Sequence, residues 1–224
     1  MNVSEAVTSR HSVRAFLDTP VPRKTIESLL EGARWAPSGG NLQPWQVYVL
    51  AGEPLREFKA VIEAKLPDHP MGDGSGEYHV YPPKLKEPYR TRRFACGEAL
   101  YASIDIPRSD KPARLRQFAN NFRFFGAPVA LFFAMDRTMQ EGQWSDLGMF
   151  IQTFMLLARE DGLHTCAQEA WSHWSNTVGE FLHIPDELML FCGLALGYKD
   201  ESHPINGWRT ERAPLDEFVE WRGL

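Results

Sequence analysis

Two guanidiniums, an imidazole and a hydroxyl stand together in Arg10-His11-Ser12-Val13-Arg14. Arginine meets phosphate through forked, charge-assisted hydrogen bonds, so the cluster is a candidate anion site. A solvated basic helix end is the competing reading. Arg209 and Arg212 bring more positive charge near the other end of the chain, with surface charge as the competing reading. The stretch Ala36-Pro37-Ser38-Gly39-Gly40-Asn41-Leu42-Gln43-Pro44-Trp45 is the third candidate. Its prolines fix φ toward both ends. Its glycines permit positive φ or close approach of the backbone to a ligand. Ser38, Asn41 and Gln43 add hydrogen-bonding groups on that rigid frame. The combination suits a flat ligand with polar edges, or a rigid helix-to-strand turn.

Elements must hold these residues in place. Ile26, Leu29, Leu30 and Ala33 recur at helical spacing, and Pro37 is the expected stop. Gln46–Ala51 is an apolar run of strand length directly after the loop. Leu55, Phe58, Ile62 and Leu66 mark a second amphipathic helix, and Arg114–Phe124 is expected to be helical. Pro128–Met135 reads as a buried strand. The stripe Leu147, Phe150, Ile151, Phe154 and Ala158 predicts a helix over about 142–161, buried on most sides and capped by Gly162. Leu163–Gln168 leads into a Trp-rich loop, Thr177–Ile184 is a short helix, and Leu188–Tyr198 is a strand. Helices and strands interleave without a regular β-α-β rhythm, so an α+β class is expected. Residues 67–112 are rich in Pro, Gly, Tyr and charge with weak periodicity, which reads as a lid excursion from a single domain over 1–224.

Bulk properties exclude several classes. The 224-residue chain is 43% hydrophobic and 24% charged, as an ordinary globular domain is. A net charge of −5 argues against a general nucleic-acid binder. There is no run of apolar residues long enough for a membrane span, and Met1-Asn2-Val3-Ser4-Glu5 does not open a secretion signal. The three cysteines, Cys96, Cys166 and Cys192, form no C-x-x-C pair, which fits a reducing cytoplasm and no disulfide framework. Cys166 reads as a small buried hydrophobe. The seven histidines show no metal-ligand spacing, so no metal is expected. No nucleophile elbow or Walker loop is present either.

Taken in order, S-R-H-S-V-R-A-F at 9–16, A-P-S-G-G-N-L-Q-P-W at 36–45, the helix at 145–161, G-L-H-T-C-A-Q-E-A-W at 162–171, L-A-L-G-Y-K-D at 194–200 and R-T-E-R-A-P-L-D-E-F at 209–218 span most of the chain. With these motifs the chain resembles the nitroreductase-like family of FMN-dependent oxidoreductases. The resemblance implies a central, mostly antiparallel sheet flanked by helices. It also implies a homodimer with FMN at the subunit interface and a C-terminal tail, Pro204–Leu224, exchanged between subunits. NAD(P)H is the implied electron donor and a nitroaromatic or quinone the implied acceptor, in ping-pong turnover. Reductive dehalogenation or enone reduction on the same fold, or a flavin-binding protein without turnover, are the alternatives.

The resemblance also assigns residues. Arg10 and Ser12, with His11 between them, match phosphate-holding positions, as does Arg212, with Arg209 as a helper. Arg14 matches the cation at the pyrimidine edge of the flavin, and Asn120 and Arg123 match ring-edge positions. Pro37, Ser38, Gly39 and Asn41 match the loop that covers the ring, from the partner subunit. Ala167, Gln168, Glu169 and Ala170 match the segment beside the flavin N5, where the backbone N–H of Glu169 or Ala170 is the implied donor. Phe124, Trp171 and Trp174 are candidate walls of the substrate pocket, with core packing as the competing reading. No side-chain acid or base is required.

Overall fold

The strand β2 (Val129–Asp136) buries all but its last residue, because helices cover the sheet on both faces. The computed structural model describes residues 1–74 and 76–223. Ser75, within the expected excursion, and Leu224, the last residue of the expected tail, lie outside the described residues. Four strands pair antiparallel in the order β1 (Gln46–Ala51), β2, β4 (Leu188–Gly197), β3 (His164–Gln168). Side chains alternate across a strand. Ala130 and Phe132 therefore join one core, and Val129, Leu131, Phe133 and Met135 join the other. The first core packs under α3 (Gly52–Lys65) through Leu55, Phe58 and Ile62. The second packs under α2 (Arg23–Ala33) and α6 (Glu141–Glu160), where the predicted stripe from Leu147 to Ala158 is buried. Gly162, at φ 72°, follows α6 as expected of a C-cap glycine.

The chain ends frame the β3 edge of the sheet. After α1 (Val3–Ser9) the backbone turns extended, and Ser12 bridges Thr165 of β3 in parallel. The Val13 N–H donates to the Thr165 carbonyl at 3.1 Å, and the Leu17 N–H donates to the Tyr198 carbonyl at 2.9 Å. Beyond Tyr198, Lys199 bridges Phe16, and the tail then holds two short 3-10 turns among the described residues.

The expected excursion divides into two parts. Its first part is fastened to the body. The Gly74 N–H donates to the His173 carbonyl at 3.1 Å, and the Asp73 carboxylate accepts from the Thr177 N–H at 2.8 Å. Arg137 grips Glu77 with two bonds of 2.7 and 3.0 Å, and the Tyr78 hydroxyl donates to the Phe191 carbonyl at 2.6 Å. Its second part contains α4 (Tyr89–Ala102), which leads to α5 (Lys111–Ala119), and neither helix has a fully buried residue. Arg114 braces the pair by gripping Glu98 at 2.6 and 3.0 Å while lying 4.4 Å from the Tyr101 ring centroid. The helix expected over 114–124 instead starts at Lys111, with Asp110 capping the Ala113 N–H. It gives way to a 3-10 turn where Phe124 and Phe125 both take φ 52°. The short helix expected at Thr177–Ile184 is α7 (Ser175–Leu182), ended by His183 at φ 52°.

Candidate functional site

The N-terminal and C-terminal arginines converge. Arg10, Arg14, Arg209 and Arg212 line one cleft of about 530 Å³, with Ser12 between the first two and α4 closing it through Cys96 and Leu100. Among the described residues no carboxylate lines that cleft. Burial lowers the Arg10 pKa, and repulsion from Arg212 and then Arg209 lowers it further. Four cations held together without a counter-charge repel one another, and a bound polyanion relieves the repulsion.

Backbone contacts set this arrangement. Val13 is fully buried, so its neighbours Ser12 and Arg14 face the other way, toward the cleft. Arg209 donates to the carbonyls of Thr8 and Arg10, tying the tail to the end of α1. Asn206, which sequence reasoning missed, is the central clasp. Its Oδ1 accepts the Arg14 N–H at 2.8 Å, and its Nδ2 donates to the carbonyls of Ala15 at 2.8 Å and Asp200 at 2.9 Å. Asn206 is buried, yet its one sequence signal is an amide in an Ile-Asn-Gly turn just ahead of Arg209.

Behind the cleft, the rings of His11 and His164 meet edge to face at 6.1 Å. Burial, followed by the nearby charge of Arg159, lowers His164 to about 4. His11 is lowered by burial too, and its Nδ1 lies 3.2 Å from the Ser9 carbonyl. Both imidazoles are therefore neutral near pH 7. Cys166 is buried as expected, and burial raises its thiol pKa.

Along β3, Ala167 is exposed and Gln168 is buried, donating to the Asn121 carbonyl at 2.6 Å. Glu169 and Ala170 begin the 3-10 turn that follows. Glu169 is exposed overall, yet partial burial of its carboxyl raises its pKa. Asn120 and Arg123 do not reach the four-arginine cleft. They line a separate depression of about 440 Å³, and Arg123 is held by Glu63 of α3 at 2.5 and 2.8 Å. Asn121, one position on from Asn120, is the residue that meets Gln168.

The 36–45 loop does not line its own chain's cleft. Pro37, Gly39 and Asn41 are exposed on its outer side. From within, the buried Asp146 of α6 accepts the Gly39 N–H at 3.1 Å, and Trp45 stacks on Phe150 at 4.8 Å. Ser38 Oγ accepts the Gln43 N–H at 3.0 Å. Gly40, Asn41 and Gln43 have φ of 58°, 57° and 50°.

Phe124, Trp171 and Trp174 are a correction to the sequence reading. All three are fully buried, so they have no surface to offer a substrate. Trp171 stacks on Phe124 at 4.7 Å, and Phe122 meets Trp171 and Trp174 edge-on at 5.4 and 5.5 Å. A Cβ on Gly193 would come within 2.3 Å of the Trp171 ring, so that glycine admits the indole into the core.

The fold is α+β, with a cationic cleft at the edge of its antiparallel sheet whose described lining carries no carboxylate. Residues 7–198 match the family model described as the Nitroreductase family, and the chain belongs to that family. It is 39% identical over 218 residues to a 4-nitrobenzoate reductase of Pseudomonas putida, covering 97% of this chain and 94% of that protein. It is 36% identical over 217 residues to a nitrobenzene nitroreductase of Ectopseudomonas oleovorans, covering 97% and 95%. The crystal structure of NfnB from sphigopyxis sp. strain HMH, described as an FMN and NADPH-dependent nitroreductase, superposes with a TM-score of 0.95 at 46% identity over 100% of both chains.

Proposed function

We propose that this chain is an FMN-dependent nitroreductase that passes electrons from NAD(P)H to nitroaromatic acceptors in ping-pong turnover. The observation that carries the reading is the cleft where Arg10, Arg14, Arg209 and Arg212 meet with no carboxylate. Its donors fit a phosphate monoester. Arg10, Ser12, Arg209 and Arg212 hold the FMN phosphate, and Arg14 sets a positive charge at the pyrimidine edge. Ala167–Ala170 would flank the bound ring, with the Glu169 or Ala170 N–H as the donor it would meet. Bound there, FMN supplies two-electron transfer between a donor and an acceptor that use one pocket in turn.

The same reading makes the protein a homodimer. Trp35, Phe218 and Trp221 are 81%, 65% and 64% exposed, large apolar side chains that a subunit contact would cover. The outward-facing Pro37–Asn41 loop then covers the partner subunit's flavin, and the tail crosses between subunits. The whole chain acts as one domain, and the α4–α5 pair selects the acceptor. A cytoplasmic setting suits Cys96, Cys166 and Cys192, which are free thiols. Among the described residues no helix is long and apolar enough to cross a membrane. The burial of Phe124 and Trp171 argues against a non-turnover protein blocked by those side chains.

The test compares FMN with riboflavin, which lacks the phosphate, and then follows NADPH oxidation with 4-nitrobenzoate. FMN is expected to bind at least about tenfold more tightly, as one charged hydrogen bond alone provides. NADPH oxidation is expected to depend on the nitroaromatic. Equal affinity for the two flavins, or oxidation indifferent to the nitroaromatic, overturns the proposal.

A further inference from the structure

Asp146 is a carboxylate inside the apolar second core. It lies at the sixth position of α6, where its neighbours Leu147 and Phe150 pack against β2 and α2. Only 4% of its surface is exposed. A carboxylate is costly to bury unless hydrogen bonds replace its water. Its Oδ2 accepts the Gly39 N–H at 3.1 Å, across 107 residues of sequence. That N–H opens the 3-10 turn Gly39–Asn41, the point in the outward loop where an unpaired donor needs an acceptor. Beyond it Gly40, Asn41 and Gln43 have positive φ, which for Asn41 and Gln43 is strained and needs an external hold. Ser38, by bonding Gln43, closes the loop on itself but does not tie it to the body.

We infer that Asp146 is the positioning residue that fixes the Ser38–Gln43 loop on α6 in the shape that covers the flavin of the partner subunit. The cover depends on the proposed function, whereas the hydrogen bond does not. Asp146 touches neither flavin nor acceptor and acts only through Gly39.

The test uses the full-length protein and four variants. Asp146→Ala removes the acceptor. Asp146→Asn keeps an oxygen that can accept the same N–H. Gly39→Pro removes the donor and sets its ring Cδ against Asp146 Oδ2, a contact that the Asp146→Ala background relieves. The preceding Ser38 is extended at φ −144°, ψ 147°, a backbone compatible with a following proline, and a Cβ at Gly39 meets nothing closer than 3.7 Å, so alanine fits. Gly39→Ala keeps the N–H and serves as its control.

Amide hydrogen exchange of the 38–43 segment is measured without cofactor. FMN affinity and the KM and kcat for 4-nitrobenzoate are measured on the holoenzyme. Loss of one charge-assisted bond predicts about tenfold faster exchange and about tenfold weaker FMN or a similar rise in KM for Asp146→Ala and Gly39→Pro. Asp146→Asn and Gly39→Ala should stay within about threefold of wild type. Combining Asp146→Ala with Gly39→Pro should add little, because both remove the same bond.

Unchanged exchange in Asp146→Ala overturns the inference. So does an additive double variant, a failure of Asp146→Asn to rescue, or faster exchange with FMN affinity and KM intact. Should Asp146→Ala not fold, Asp146→Ser against Asp146→Asn decides the same question, because the shorter hydroxyl does not reach the Gly39 N–H. A wild-type chain that binds no FMN overturns the proposed function instead, and the exchange measurement still tests the hold on the loop.

Discussion

At the residue scale, the proposed phosphate site rests on charges with no carboxylate beside them in the described lining of their cleft. Arg212 donates to Thr210 Oγ1 at 2.6 Å and to the carbonyls of Thr210 and Glu211, while Glu217 in the adjoining cavity is paired with Arg92. Replacing it with alanine should weaken FMN by about 10- to 100-fold, the equivalent of one charged hydrogen bond of about 1.5–3 kcal/mol. Fluorescence titration checks this, and unchanged affinity removes Arg212 from the phosphate site. The buried His164 predicts a pH effect with a definite sign. Its folded pKa is about 4, below the ordinary 6.5, so the unfolded chain binds the proton more readily. Its contribution is complete above pH 6.5, declines as pH falls toward 4, and is lost below that. Thermal melts of wild type should therefore fall over this window, and His164→Gln should flatten the fall. A parallel pair of curves would show that other groups control the acid response. Asn206→Leu should cost about 1–3 kcal/mol by leaving the Arg14 N–H and two carbonyls unpaired, read from denaturant unfolding.

At the scale of elements, the α4–α5 pair is held by ion pairing and aromatic stacking more than by burial. Removing the Arg114 guanidinium with Arg114→Ala deletes both the grip on Glu98 and the stack on Tyr101. The expected result is a raised KM for bulky nitroaromatics and faster hydrogen exchange over 89–119, with the melting temperature nearly unchanged. A large fall in melting temperature would mean the pair belongs to the core. The same physics explains what sequence could and could not tell. The strands Val129–Asp136 and Leu188–Gly197 and the helix Glu141–Glu160 were legible because each buries a continuous apolar surface. Helix α4 was not, since a helix with no core face leaves no periodic signal. Phe124 and Trp171 suit a pocket wall as well as a core by residue type. Only the register that sets Gly193 opposite Gln168 reveals the space that takes the indole. Asn206 was illegible because an amide clasp carries no periodicity.

At the scale of the whole molecule, the two ends of the chain build one site. Arg209 meets the carbonyl of Arg10 across 199 residues, and Arg92 of α4 pairs with Glu217 of the tail at 2.5 Å. The motifs at each end were visible in the sequence, but their meeting needed the sheet edge that holds Ser12 against Thr165. The tail then divides into two functional parts. Its first part, through Arg212, belongs to the cleft. Its second part meets α4 of its own subunit through the Glu217–Arg92 pair but leaves the apolar Leu215, Phe218 and Trp221 exposed. Two truncations separate these roles. Ending the chain after Trp208 removes Arg209 and Arg212 with the apolar tail, and should abolish both FMN binding and the dimer. Ending it after Pro214 keeps all four arginines and removes only the apolar segment. If the segment is exchanged between subunits, this shorter cut should yield a monomer by light scattering. FMN should then bind more weakly, because the Pro37–Asn41 loop of a partner no longer covers it. A dimer that survives the cut after Pro214 would reject the exchange and place the subunit contact on the helices instead.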